Sequence, residues 1–184
     1  MITAVYSMLL KDGRTAVVRS PAMSDADIII GFLRRVYRES DNMIRTEEET
    51  RNYSAVAGKR LIHSISTAPD DCVLLCTVDG ELAGAALVTY GKPGKIKHRG
   101  TVSIAVGKAY WGLGIGTELL KKQISLAESR GDKMQLELDY IEGNDRAAAL
   151  YKKCGFVETG RKPRAVRMSD GSFRDEISMV CYLK

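Results

Sequence analysis

Residues 102–120 and 144–156 carry the side chains and spacings that could do chemistry. Val102-Ser103-Ile104-Ala105-Val106 is an apolar run of strand character. Tyr110-Trp111-Gly112-Leu113-Gly114-Ile115-Gly116-Thr117 follows it, and Glu118-Leu119-Leu120 continues into a helical pattern. Three glycines at alternate positions let a backbone turn sharply and come close to a ligand. A helix start offers unpaired N–H groups at the positive end of its dipole, so this turn suits a phosphate. The later segment, Asn144-Asp145-Arg146-Ala147-Ala148-Ala149-Leu150-Tyr151-Lys152-Lys153-Cys154-Gly155-Phe156, adds an amide side chain and a phenol. A phenol, with an unperturbed pKa of about 10, can give a proton or a hydrogen bond to a departing anion.

The glycine spacing separates kinds of phosphate loop. A P-loop requires Lys after its last glycine, and here Gly116 is followed directly by Thr117. A dinucleotide fingerprint requires G-x-G-x-x-G, and Thr117 stands where its third glycine belongs. Asp132 lies at roughly the distance expected of a ribose-binding acid, but it precedes the next strand rather than ending it. A dinucleotide-dependent oxidoreductase is therefore disfavoured.

The elements that must position these residues read as follows. Residues 3–10 and 14–20 flank Asp12-Gly13 as a hairpin. Ser24, with Asp27 three residues on, opens a helix carrying Ile28, Phe32, Leu33 and Val36 at helical spacing. Thr46 and Glu49 form a capping box, from which a second helix should run towards Ser66. Asp79-Gly80 joins strands 71–78 and 81–90, a basic loop spans 91–97, and a strand over 98–106 enters the glycine turn. The helix beyond the turn buries Leu119, Leu120, Ile124 and Ala127, shows Lys121 and Lys122 outward, and ends at Gly131. Leu136, Leu138 and Tyr140 alternate along a strand over 134–140, Asn144 caps a short helix closed by Gly155, and two strands surround Asp170-Gly171. Antiparallel hairpins mixed with helices give an α+β class.

Composition narrows the setting. A chain of 184 residues suffices for one domain with a core, so residues 1–184 are expected to form a single domain. A net charge of +5 suits a small anionic ligand and falls short of a dedicated nucleic-acid binder. Cys72, Cys76, Cys154 and Cys181 sit among apolar neighbours without metal-ligand spacing, and the two histidines are His63 and His98. Free buried thiols, no metal and a reducing cytoplasm are the expectation. No secretory signal or membrane-length apolar run is visible, so a soluble cytoplasmic protein is expected.

The two segments, in this order and with one helix and one strand between them, resemble the GNAT superfamily of acetyl-CoA-dependent N-acetyltransferases. That family carries a Q/R-x-x-G-x-G/A turn and later an N-x-x-A-x-x-L-Y motif ending in G-F. Gly114 and Gly116 match the turn, and Asn144, Ala147, Leu150, Tyr151, Gly155 and Phe156 match the second motif. Trp111 departs from it, standing where Gln or Arg is usual. The resemblance runs from about Val73 to the C-terminus. It implies a GNAT-like fold: a mixed, mostly antiparallel central sheet flanked by helices and splayed at the acetyl-CoA slot. The acetyl-CoA core would span about 73–160, with the acceptor side built from 20–66 and 160–184.

The same resemblance assigns roles. Acetyl-CoA is the implied co-substrate, bound by Ile104, Ala105, Val106, Trp111, Gly112, Leu113, Gly114, Ile115, Gly116, Thr117, Asn144, Ala147 and Tyr151. Amides from Gly112 to Thr117 would cradle the diphosphate, and the exposed edge at Ile104, Ala105 and Val106 would pair with the peptide-like pantetheine arm. An N–H near Val106 would stabilise the oxyanion. Tyr151, which alone reads as an aromatic packing its helix on a sheet, becomes the catalytic donor to the leaving thiolate. The general base is not legible, and Glu39, His98, Glu137 and Asp139 stay open.

The implied activity is acetyl transfer to a primary amine of a small molecule or a protein N-terminus, with a homodimer as a further expectation. Glu39, Asp41, Glu47, Glu48 and Glu49 would attract a cationic amine, although Glu47–Glu49 also suit a helix's first turn. Arg161, Lys162, Arg164 and Arg167 read as a solvated basic run. A non-catalytic acyl-CoA sensor on the same fold is the alternative, and Tyr151 counts against it.

Overall fold

The computed structural model describes residues 5–184, and for Ser66 the backbone alone. Eight strands, β1 (Tyr6–Leu9), β2 (Thr15–Arg19), β3 (Cys72–Val78), β4 (Glu81–Tyr90), β5 (Arg99–Val106), β6 (Gln135–Ile141), β7 (Val157–Arg167) and β8 (Phe173–Tyr182), form one sheet. Their order is β1-β2-β3-β4-β5-β6-β8-β7. Neighbours are antiparallel except β5 and β6, which are parallel. Five helices, α1 (Ala26–Glu39), α2 (Glu47–Thr50), α3 (Ala55–Thr67), α4 (Ile115–Glu128) and α5 (Asp145–Lys153), flank it. The fold is the α+β class expected, with a mixed sheet. Among the described residues no helix is long and apolar enough to cross a membrane.

Alternation explains the layers. On β3, Leu74, Cys76 and Val78 pack under Ile115 and Leu119 of α4, while Val73 and Leu75 pack against Ile29, Phe32 and Ile62 of α1 and α3. Both faces of this strand are covered, so it reads as a near-continuous apolar run. The β3–β4 turn places Asp79 (φ 50°) and Gly80 (φ 83°) in left-handed conformations, the pattern of a two-residue hairpin. Gln123, fully buried on α4, donates through Nε2 to the carbonyls of Cys72 and Ala86, each at 3.2 Å. It fixes α4 across β3 and β4.

Three local expectations are corrected. First, α1 begins after a 3-10 turn at Met23–Asp25 rather than at a Ser24 cap. Buried Asp25 takes Arg19 in a fork (2.5 and 2.7 Å) and the Ala22 amide (2.6 Å), which anchors that turn. Second, the helix expected from Thr46 to Ser66 is two. The Thr46–Glu49 box forms, but Arg34 of α1 donates to the carbonyls of Thr50, Arg51 and Tyr53 at 3.3, 3.1 and 2.5 Å. Those carbonyls would otherwise have continued a helix, and Ser54 caps a new one at α3. Third, Cys154 is only half-buried, whereas Cys72, Cys76 and Cys181 are buried as expected; all four are free thiols. The first hairpin is observed over Tyr6–Leu9 and Thr15–Arg19, and positions 3 and 4 of its expected span lie outside the described residues.

The sheet opens between β5 and β6. Their register pairs only Arg99 with Gln135, Gly100 with Leu136 and Thr101 with Glu137. Beyond Thr101, β5 stays on β4 as far as Val106, while β6 stays on β8 as far as Ile141. The outer ends of the two parallel strands are left with a gap between them, directly before the glycine turn.

Candidate active site

The gap presents backbone groups that can be assigned by alternation. Gly107 N–H donates to the Ala83 carbonyl at 2.9 Å, so Gly107 faces β4. Hydrogen-bonding direction alternates along an antiparallel strand. Ala105 therefore also faces β4, and Ile104 and Val106 direct their amides and carbonyls into the gap. One of these groups is taken: the Trp111 indole N–H donates to the Val106 carbonyl at 2.7 Å.

A short 3-10 turn at Lys108–Tyr110 carries the chain from β5 into the glycine turn. Gly112 (φ 81°) and Gly114 (φ 100°) are left-handed, and a Cβ at either would meet nothing within 4 Å. The chain uses glycine here for backbone shape, and it leaves space in front of the turn. The Gly114 carbonyl accepts the Glu118 amide at 3.1 Å, and buried Ile115 and Leu119 seat the first turn of α4. Among the described residues, the amides of Gly112 through Thr117 have no acceptor. Such a donor set at a helix start fits a diphosphate.

On the far side of the gap stands α5. Asn144 caps it, its Oδ1 accepting from the Ala147 amide at 3.3 Å. The Arg146 guanidinium lies 3.6 Å from the Trp111 ring centroid. Leu150 packs towards Gly116, where a Cβ would come to 3.0 Å of its Cδ2. Tyr151 is buried between Tyr140 and Phe156, with ring centroids 5.9 and 6.1 Å away. Burial, with a smaller contribution from Tyr140, pushes its pKa up to about 12. Its hydroxyl has no protein partner among the described residues.

These parts share one cavity of about 710 Å³. Ile104, Ala105, Val106, Trp111, Gly112, Gly114, Ile115, Gly116, Thr117, Asn144, Ala147 and Tyr151 line it. Leu113 turns away, its side chain packing against the core and its carbonyl accepting the Lys11 amide at 3.4 Å.

The opposite wall comes from the end of α1 and the loop beyond it: Val36, Glu39, Ser40, Asn42 and Met43. Glu39 accepts the Lys108 amide at 2.7 Å and lies 3.9 Å from Arg35. It is thus tied to the end of β5. Of the four carboxylate and imidazole candidates for a base, Glu39 alone reaches the cavity. Glu137 is locked in a fork with Arg99 (2.5 and 2.6 Å), which lowers its pKa, and Asp139 accepts from Ser178 at 2.5 Å. His98 lies in the turn just before β5, beyond the cavity.

The other charged groups are engaged elsewhere. Glu47, Glu48 and Glu49 fill the first turn of α2. Asp41 accepts from Ser169 at 2.7 Å, joining the α1–α2 loop to the β7–β8 hairpin. In the basic run, Arg161 pairs with Glu142 and Asp175, and Lys162 with Glu176. Lys11, Lys121, Arg146 and Lys153 also line the cavity, although the motifs do not mark them as site residues. The seven-residue spacing of Arg146 and Lys153, which puts both on one helix face, is the signal that could have found two of them.

Comparison with known proteins identifies the family. The profile of the Acetyltransferase (GNAT) family matches residues 32–156, reaching further towards the N-terminus than the two motifs. An N-alpha-acetyltransferase of Sulfurisphaera tokodaii is 28% identical over 156 residues, which cover 80% of this chain and 84% of that protein. A GNAT-family acetyltransferase structure from Streptococcus pneumoniae superposes with a TM-score of 0.85 at 26% identity, over 92% of this chain and 99% of that one. The fold is also that of yncA from Salmonella typhimurium, solved with acetyl-CoA (TM-score 0.79, 18% identity, covering 92% and 94% of the two chains). With the profile matching well over half of its length, on a sheet that splays beside a glycine turn, the chain belongs to the GNAT acetyltransferase family.

Proposed function

We propose that this protein transfers the acetyl group of acetyl-CoA to a primary amine by direct attack on the thioester. One observation carries the reading: the glycine turn with its acceptor-less amides, the gap-facing edge of β5 and Tyr151 all line the same cavity. When bound, the coenzyme supplies an activated acyl group on sulfur.

Each remaining step falls to the chain's own groups. The amides from Gly112 to Thr117, Leu113 included, hold the diphosphate, with Trp111 and Arg146 beside them. Ile104 offers an N–H and a carbonyl to the pantetheine arm as an adjacent strand would, with Ala105 alongside and Asn144 and Ala147 across the gap. The Val106 carbonyl is occupied by Trp111, so the Val106 N–H is the donor left at the end of the edge. It stabilises the negative charge that gathers on the thioester oxygen.

Tyr151 stands on the α5 side of β5 and donates to the sulfur as the bond breaks. Its pKa of about 12 keeps it protonated at neutral pH. A thiolate of ordinary pKa, about 8.5, is too weak a base to take that proton outright. The hydroxyl therefore acts as a hydrogen-bond donor, and the proton reaching the thiol originates on the amine.

Glu39, across β5 from Tyr151, draws in the cationic amine, which releases one proton to solvent to expose the lone pair that attacks; a second N–H proton leaves as the C–N bond forms and ends on the thiol. The name of the Sulfurisphaera tokodaii relative supports a polypeptide α-amine as acceptor, and a small-molecule amine has the same reacting group. The test is thiol release from acetyl-CoA over a panel of N-terminal peptides, amino acids, polyamines and aminoglycosides. Turnover with at least one amine is expected. Tight acetyl-CoA binding with no turnover on any would establish the non-catalytic sensor instead.

A further inference from the structure

Glu39 does not stand alone on the α1 wall. Arg35 precedes it by one turn on the same face of α1, and its guanidinium crosses to the end of the central strands. Nη2 donates to the Leu82 carbonyl of β4 at 2.5 Å and packs on Gly107, where a Cβ would come to 3.3 Å of it. Nη1 lies 3.9 Å from Glu81 Oε2, which also accepts the Tyr110 hydroxyl at 3.1 Å. Nε is buried, has no hydrogen-bond partner among the described residues, and lies 3.9 Å from Glu39 Oε1.

The two oxygens of Glu39 are thereby distinguished. Oε2 is held by the Lys108 amide at 2.7 Å. Oε1 faces the guanidinium at a distance too long for a hydrogen bond and short enough for a strong charge interaction. The other charged groups around the cavity are engaged or belong to other elements. Glu81 is shared with Tyr110, and Asp41 in the loop beyond α1 accepts from Ser169. Glu118 and Lys121 of α4, Asp145, Arg146 and Lys153 of α5, and Lys11 of the β1–β2 turn line the cavity, with Tyr151 a neutral phenol. Arg35 is the cation paired with Glu39.

A carboxylate by itself holds an acceptor amine too well in its ammonium form. It raises the proton affinity of the nitrogen, and an ammonium has no lone pair with which to attack. A guanidinium on the same carboxylate opposes that rise. Resting on the reading of Glu39 above, we propose that Arg35 is a positioning residue that offsets the charge of Glu39, so that the bound ammonium gives its proton to solvent and presents a neutral nitrogen. The bond to Leu82 and the packing on Gly107 keep the guanidinium at the carboxylate and away from the acceptor's place. One unit charge at this remove, screened by partial exposure, should ease deprotonation of the bound amine by about one pH unit.

Single-turnover transfer from enzyme-bound acetyl-CoA, saturated with the fastest amine of the panel, tests this as a function of pH. The variants are Arg35→Gln, Arg35→Met, Arg35→Lys and Glu39→Gln, each with a thermal melt. Arg35→Met keeps the stem over the Phe32 ring and serves where Arg35→Gln does not fold. In the neutral variants the acid limb should move up by about one pH unit, so that rates on it fall about ten-fold while the alkaline plateau holds. Arg35→Lys keeps the charge and should leave the limb in place, whereas Glu39→Gln should move it down. A limb unmoved by loss of the Arg35 charge but lowered in Glu39→Gln overturns the role of Arg35 and leaves that of Glu39 standing. A depressed plateau on an unmoved limb does the same, since a merely structural arginine gives that result. A limb unmoved in Glu39→Gln removes the reading of Glu39 and this proposal together, as does a wild type that acetylates no amine.

Discussion

The indole of Trp111 and the carbonyl of Val106 meet at 2.7 Å across the end of the central strand. The residue that departs from the family's usual turn therefore has a definite role, because it closes the strand's last free acceptor and holds a ring against Arg146. Arg146 thus stacks on the same ring whose N–H closes the end of the strand edge.

Trp111→Phe keeps a ring for Arg146 and deletes the indole N–H. One hydrogen bond of about 1 kcal/mol is lost, which corresponds to an about five-fold rise in KM for acetyl-CoA. The unfolding midpoint should barely move, since the freed carbonyl faces an open gap. Steady-state kinetics beside a thermal melt check both. An unchanged KM would mean that Trp111 does not shape the edge.

Tyr151→Phe preserves the packing with Tyr140 and Phe156 and removes only the hydroxyl. kcat should fall by about 100-fold, with the affinity for acetyl-CoA unchanged. An equal rise in Kd would instead make the hydroxyl a binding group.

Stability at high pH follows from phenols that partial or full burial perturbs. Tyr90 and Tyr151 are both raised to about 12, chiefly by burial. A folded-state pKa above the unfolded value of about 10 gives a contribution that is intact below about pH 10 and lost as pH climbs towards about 12. Urea midpoints measured from about pH 8 to 12 should hold steady and then drop above about pH 10, and the drop should be shallower in Tyr151→Phe.

Two neighbouring glycines should respond differently to alanine. Gly114 sits at φ 100°, so Gly114→Ala meets open space but a strained backbone, at a cost of about 1–2 kcal/mol. Gly116 is helical, and its new Cβ would meet the flexible tip of Leu150 at 3.0 Å and Val106 Cγ2 at an ordinary 3.7 Å. Gly116→Ala should leave stability nearly unchanged, as the helix-propensity gain offsets the crowding. Chemical denaturation of the pair reads the difference directly.

Glu39→Gln keeps an oxygen for the Lys108 amide and removes the charge. With a cationic acceptor, kcat/KM for the amine should fall by about ten-fold or more, while KM for acetyl-CoA and the melting midpoint stay put. If the variant matches the wild type across acceptors, Glu39 serves only to tie α1 to β5.

Much of the architecture is legible in the chain because its signals are local. The Thr46–Glu49 box, the Asp79-Gly80 turn, the Asn144 cap and the alternation of Leu136 and Leu138 each depend on residues a few positions apart. The glycine turn and the Asn144–Phe156 segment belong to the same class, and they suffice to indicate the family. The break between α2 and α3 is hidden because the groups that impose it, the Arg34 guanidinium and the carbonyls of Thr50, Arg51 and Tyr53, belong to different elements.

The sequence by itself determined the local parts, a strand, a glycine turn and a helix start whose backbone amides suit an anion, because each is written in residues a few positions apart. Only the tertiary structure decided that Ile104 and Val106 rather than Ala105 face the gap, that Glu39 rather than Glu137 reaches the cavity, and that Lys121 and Lys153 line the same cavity. Strand register and helix docking bring together groups tens of residues apart, and no spacing along the chain encodes where such partners will meet.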